Sequence, residues 1–229
     1  MKNSIVLILV FVSNLGLCQN LNFEKWNTIA EADVSLQPKY GNVEKTPEQQ
    51  KSDKEFIDEI LNHFKNKSEA SDNLVETGFK YLYEKGDFST AMRRFNQAYL
   101  LNDKNPDIYY GYGTIYFNLG AYDEARIQYD EGLALNPNHS EILTDYGTTY
   151  LADFYIDNNL ETLDLAQTFL NKSYVIDKKN SNTIYKLSIV NMYLGSCEKA
   201  KSYLKDAKKL KNPNVTDSFE EELSNICDQ

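Results

Sequence analysis

The sequence predicts an all-α solenoid of about four helix pairs, closed by a helix at each end, and three observations predict it. Residues recur at an interval of 34: Gly86 returns as Gly120, Ala91 as Ala125, Phe95 as Tyr129, Ala98 as Gly132 and Leu101 as Leu135. The same interval relates Tyr112, Gly113 and Tyr116 to Tyr146, Gly147 and Tyr150, and Ala166, Leu170 and Ile176 to Ala200, Leu204 and Leu210. Second, the small and aromatic residues inside each interval fall at helical spacing, as in Ala91, Phe95 and Ala98. Third, 17 tyrosines and 11 phenylalanines accompany a single tryptophan, an excess that suits rings filling the gaps between stacked helices. A unit this short cannot bury its own apolar face, so successive units must share a core.

Taken in order, residues 1–18 read as an export signal. Lys2 gives a positive start, Ile5 to Val12 an apolar run too short to span a membrane, and Gly16 and Cys18 the small residues at a cleavage site that leaves Gln19 as the new terminus. A lipid anchor on Cys18 competes with simple cleavage, but Leu17 stands where that processing wants a small residue. Removal of 1–18 takes Lys2 as its only charge, so the mature chain is one charge more acidic than the full chain's −10. The expected location is the periplasm, the wider cell envelope or the secreted space.

Residues 19–46 are expected to form an extended N-terminal arm in which Phe23, Trp26 and Ile29 share one side of a short helix. Pro38 and Gly41 call for a turning connection. Two readings of the arm stand: a shield for the first repeat, or a partner-binding segment anchored by Trp26. Residues 47–70 are expected to form an N-terminal capping helix. Thr46, Pro47 and Gln49 make a capping box with proline at the first position, and Phe56, Ile57, Ile60, Leu61 and Phe64 form one apolar face. His63 beside that face reads as a surface residue.

Four repeats are expected at 71–105, 106–139, 140–180 and 181–213. The second is the most regular, with Tyr109, Tyr112, Gly113, Tyr116, Gly120, Tyr122, Ala125, Tyr129, Gly132 and Pro137. The first carries one extra residue between Gly78 and Gly86, and the third an insertion of seven around Tyr155–Leu160 that lengthens its helices or widens its turn. The fourth has Ser188 where a glycine stands in the second and third. Residues 214–229 read as a C-terminal capping helix, with Phe219, Leu223 and Ile226 on one face and Glu220, Glu221 and Glu222 in its early turns. Cys197 and Cys227 remain as an even pair in an exported chain. They form a disulfide closing a loop of about 30 residues, a contribution of about 3–4 kcal/mol, or stay as two buried thiols.

This order of aromatic, small, tyrosine, alanine, aromatic, alanine and proline resembles the tetratricopeptide repeat over about 71–213. The resemblance implies a right-handed superhelix whose inner groove is lined by the first helix of each pair. Its offsets place Tyr110, Thr114, Phe117 and Asn118 in that groove from the second unit. Thr144, Thr148 and Leu151 follow from the third and Tyr185, Ile189 and Met192 from the fourth, with Tyr83 beginning the row. Some of these positions compete with a reading in which the arm or a capping helix covers them. Family members that grip a C-terminal carboxylate do so with Lys, Asn and Arg. Tyr110, Thr114, Thr144 and Thr148 occupy the corresponding positions, so that clamp is missing.

The composition and motifs exclude several functions. A net charge of −10 without a long basic tract disfavours nucleic acid, and the lysines from Lys199 to Lys211 are balanced in sequence by Glu220–Glu222. No phosphate loop, zinc spacing or nucleophile elbow appears, so no catalytic residue, metal ligand or cofactor is assigned. His63 and His139 stand without an evident acidic or thiol partner. The expected function is a non-catalytic adaptor holding a peptide or partner helix. A small-ligand or glycan binder, and an acidic inhibitor or immunity-type protein, are the alternatives.

Overall fold

The computed structural model describes residues 21–228, so the expectations for the signal segment and for Cys18 lie outside the described residues. The chain opens with α1 (Phe23–Ala32), two 3-10 turns at Val34–Leu36 and Pro38–Asn42, and α2 (Pro47–Ile60). Four antiparallel pairs follow: α3 (Lys67–Lys85) with α4 (Phe88–Leu101), α5 (Pro106–Asn118) with α6 (Tyr122–Leu135), α7 (Ser140–Asp157) with α8 (Leu160–Ile176), and α9 (Ser181–Tyr193) with α10 (Cys197–Lys209). The last element is α11 (Asp217–Cys227). The result is an α-solenoid.

Side-chain caps punctuate the helices. Thr46 and Gln49 close a reciprocal capping box at α2, and Asn66, Asp87, Asn105, Asn159, Asn180 and Thr216 each accept a backbone N–H at a helix start. Within three pairs the turn uses a glycine in the left-handed region: Gly86, Gly120 and Gly195 have φ of 62°, 76° and 70°. The third pair turns at Asn158, φ 53°. There the seven-residue insertion has lengthened both helices, to 18 and 17 residues against 13 and 14 in the preceding pair. The tip leaves Tyr155, Ile156 and Leu160 exposed.

Small residues let the pairs approach. Gly78 and Gly111 both lie against the ring of Phe95, and Gly113 lies against Tyr129; a Cβ at Gly113 would stand 2.2 Å from that ring. In the fourth pair Ser188 does the same job by a different route. It is wholly buried, and its hydroxyl donates to the Ala200 carbonyl at 2.8 Å, tying α9 to α10.

The N-terminal segment is less extended than its composition suggests. Asn22 caps a ten-residue helix, and Trp26, only 1% exposed, is buried in the core cluster that includes Ala30, Leu36 and Met92. Trp26 is therefore an anchor of the arm to its own repeats; it presents no face to a partner. α2 also departs from expectation. It ends at Ile60, ten residues early, because Asn66 starts α3, and none of its residues is fully buried. Phe56, Ile57, Ile60 and Phe64 pack half-buried on the first cluster, and α2 touches α4.

Between α1 and α2, Lys39, Tyr40, Gly41 and Asn42 have φ of 57°, 55°, 66° and 54°, a left-handed turn in which only Gly41 is free of steric cost. A buried polar network holds it. Asn96 Nδ2 donates to the Ser35 and Gln37 carbonyls at 2.9 and 2.8 Å. The Tyr112 hydroxyl donates to Asn96 Oδ1 at 2.6 Å and accepts from Lys39 N at 3.2 Å. Lys39 Nζ reaches Glu131 on α6 at 2.6 Å. Tyr112→Phe leaves Asn96 Oδ1 buried without its donor and is expected to cost about 1–3 kcal/mol. Amide exchange should accelerate through residues 33–45 first. An arm whose protection is unchanged in the variant would show that the network does not hold the turn.

Candidate functional site

The stack bends with its first helices inside. α3 touches α5, α5 touches α7 and α7 touches α9, whereas among the described residues α4, α6 and α8 make no comparable contact with one another. Crowded first helices and splayed second helices define an inner and an outer face. The arm lies on the outer one, where Arg93 of α4 pairs with Asp33 and Lys39 with Glu131 of α6. The inner face along α3, α5 and α7 is left open.

The structure divides the expected groove row in two. Tyr83 is 56% exposed and stacks on Phe79, with ring centroids 5.8 Å apart. Tyr110 is half-buried among Phe79, Tyr129 and His139, at 5.2, 6.5 and 5.7 Å. Phe117 is half-buried on Tyr122, Asn118 is exposed, and Thr148 is half-buried. Thr114 lies beneath them, 2% exposed, its hydroxyl donating to the Tyr110 carbonyl at 2.8 Å. These residues come together on α3, α5 and α7.

The remaining members of the row do not join them. Thr144 is 2% exposed and belongs to a closed hydroxyl cluster with Ser173 and Thr183, 2.8 and 2.6 Å away, which ties α7, α8 and α9 together. Leu151 and Met192 are core residues. Tyr185 and Ile189, 7% and 8% exposed, share a core cluster with Phe219 and Leu223 of α11, and Phe219 meets the Tyr185 ring edge-on at 5.1 Å. The offset rule fails here because α11 occupies the place a further repeat would leave open.

Several residues at this site escaped the sequence reading. Asp145 on α7 and Lys186 on α9 are both half-buried, and Asp145 acts electrostatically on Tyr83, Tyr110 and Tyr129. Burial raises the Asp145 carboxyl above its ordinary value while Lys186 opposes the shift, and burial lowers the Lys186 ammonium while Asp145 opposes that. Burial, then Asp145, holds the Tyr110 and Tyr129 phenols well above their ordinary range. A signal existed in the sequence, because Gly111, Asp145 and Lys186 occupy one repeat position once the insertion is allowed for, and charge there is out of place. His139 also has a carboxylate partner after all. Its Nδ1 caps α7 by accepting from Ile142 N, which puts the proton on Nε2, 2.7 Å from Asp107 Oδ1 on the preceding pair.

At the C-terminal end, Cys197 and Cys227 are joined, linking the start of α10 to the end of α11. Lys208 pairs with Glu220 at 2.6 Å, Lys201 with Asp228 at 2.6 Å and Lys209 with Asp206 at 2.8 Å, so three lysines of the α10 stripe are balanced by acids nearby.

Residues 82–144 match the tetratricopeptide repeat family model. None of the curated proteins matches the chain. Among solved structures, PilF of Pseudomonas aeruginosa is similar at 19% identity and a TM-score of 0.54, over 65% of this chain and 64% of its own length. A thermophilic TPR protein from Thermus thermophilus is similar at 20% identity and a TM-score of 0.54, over 62% of this chain and 75% of that one. At these identities the likeness is one of fold. Among the described residues no helix is long and apolar enough to cross a membrane.

Proposed function

We propose that this tetratricopeptide-repeat protein is a non-catalytic scaffold of the cell envelope or secreted space, holding a peptide or partner helix along its inner face. The observation that carries the reading is the open half-row of Tyr83, Tyr110, Phe117, Asn118 and Thr148. It combines aromatic surface with hydrogen-bonding groups, and the arm, which lies on the outer face, leaves it uncovered. An extended segment or an amphipathic helix offers the matching spacing of side chains. Residues 1–18 and the pairing of two cysteines support a location outside the reducing cytoplasm.

The test is capture with the protein beside its Tyr110→Ala/Phe117→Ala variant, using envelope and culture fractions. A protein held by the native chain and at least about tenfold depleted on the variant is the expected result, since two aromatic contacts at a binding centre account for much of an interface's energy. Circular dichroism of the variant checks that the stack survives. Equal retention by both chains would move the interface off this face.

A further inference from the structure

Three acids stand at the same repeat position on successive first helices: Asp72 on α3, Asp107 on α5 and Glu141 on α7. Asp145 follows Glu141 one turn along the same helix face. The first two are engaged, since Asp72 accepts from Asn105 at 2.8 Å and Asp107 meets His139. Asp145 has the Tyr110 hydroxyl as its hydrogen-bonding neighbour but no counter-ion, since Lys186 makes no ion pair with it within 4.0 Å.

An independent observation falls at the same place. Tyr129 is wholly buried, and nothing in the structure meets hydrogen-bond geometry with its hydroxyl. Its ring lies 6.5 Å from that of Tyr110 in the open half-row and 6.1 Å from that of Tyr146, the residue after Asp145, and Asp145 and Tyr83 act electrostatically on its hydroxyl. Thr114 Oγ1 is committed as a donor to the Tyr110 carbonyl, so it does not donate to Tyr129. The oxygen of Tyr129 thus retains its lone pairs for an incoming donor. A buried acceptor and a carboxylate without a counter-ion, beside the exposed ring of Tyr83, form an incomplete site.

We propose that this pocket receives an arginine side chain of the partner peptide, its guanidinium on the Asp145 carboxylate, its plane against Tyr83 and an N–H toward Tyr129. The inference rests on the scaffold reading above and names what that scaffold recognises. An anionic side chain is opposed by the acid row, and an apolar one leaves Asp145 without a counter-charge and Tyr129 unsatisfied. Lysine brings a strongly hydrated point charge without a face to stack. Only the guanidinium offers both the donor fork for a carboxylate and a plane for the ring. Lys186 is the competing cation the arginine displaces from the field of Asp145.

The test selects dodecapeptides from a random display library on the full chain and resynthesises the best binder with each arginine replaced by citrulline, which keeps the shape and removes the charge. The expected result is one position where citrulline lowers affinity about tenfold or more, a similar loss with Asp145→Asn, and little further loss when the two changes are combined. Lys186→Met should tighten the same peptide several-fold. A binder weakened by Phe117→Ala but indifferent to citrulline, or showing no coupling to Asp145→Asn, overturns the arginine pocket and leaves the scaffold reading standing. No binder, or one indifferent to Phe117→Ala as well, overturns both. Asp145→Asn is isosteric and its melting curve is recorded beside the wild type; the citrulline arm needs no protein variant.

Discussion

Phe95→Ala is expected to destabilise the N-terminal half of the stack by about 3–5 kcal/mol, the range for removing a large buried aromatic. Phe95 is 0% exposed and lies between Gly78 on α3 and Gly111 on α5, so one ring from α4 fills the gap within the first pair and the gap to the second. Its edges meet Phe79 at 5.1 Å and Tyr112 at 6.1 Å, and Tyr112 in turn holds Asn96 and the arm. The expected melting shift is a loss of about 10 °C or more. Because a solenoid's stability is built from neighbouring units, protection should fall first in residues 67–118 and later in the fourth pair. A loss below about 1 kcal/mol would mean that the neighbours collapse into the space, and the ring is then not the joint between the pairs.

The glycines supply the companion experiment. A Cβ at Gly111 would come within 2.5 Å of two Phe95 ring atoms, so Gly111→Ala alone overpacks the site. Its expected cost is about 1–3 kcal/mol. In the Phe95→Ala background the same methyl enters empty space, so its cost should vanish or change sign. Additive losses in the double variant would show that the two residues do not share one packing site.

The repeat interval was the most legible property of the chain, because a periodic core writes itself into positions such as Gly113 and Gly147 that no isolated helix would require. The lengthened third pair was legible too, as seven extra residues beside Tyr155. The groove was only half legible. Offsets along a first helix locate Tyr110 and Phe117, but they cannot show that α11 closes over Tyr185, or that Thr144 is consumed by hydroxyls from α8 and α9. Those are contacts between elements distant in sequence, and they decide exposure. Trp26 was ambiguous for the same reason: a lone tryptophan in a loosely patterned arm supports both a packed and a partner-binding reading until α4 is seen beneath the arm. Asp145 and Lys186 were overlooked because charged residues on a helix usually mark its solvated side, whereas these two are half-buried and burial shifts both.

Breaking the Cys197–Cys227 link is the second change with a large expected effect. The two residues are 30 apart, and closing a loop of that length removes about 3–4 kcal/mol of conformational freedom from the unfolded chain. What it secures is α11, an 11-residue helix too short to persist alone, which contributes Phe219 and Leu223, 4% and 3% exposed, to the last core cluster. Of the polar contacts beside it, Lys208 to Glu220 lies toward solvent and contributes little, and the Tyr193 hydroxyl adds one half-buried hydrogen bond to Glu222 at 2.9 Å. Cys197→Ser/Cys227→Ser, or reduction of the native chain, should therefore release α11 before the rest of the stack melts. Exchange protection over residues 217–227 should fall by about two orders of magnitude or more, the equivalent of about 3 kcal/mol. Equal protection with and without reductant would mean that Phe219 and Leu223 hold the helix unaided. Release has a consequence for the inner face, because Tyr185 and Ile189 would be uncovered and the open row on α3, α5 and α7 would extend onto α9. A binder selected on the reduced chain should then gain contacts that the oxidised chain denies it, and Tyr185→Ala should weaken that binder while leaving one selected on the oxidised chain unchanged.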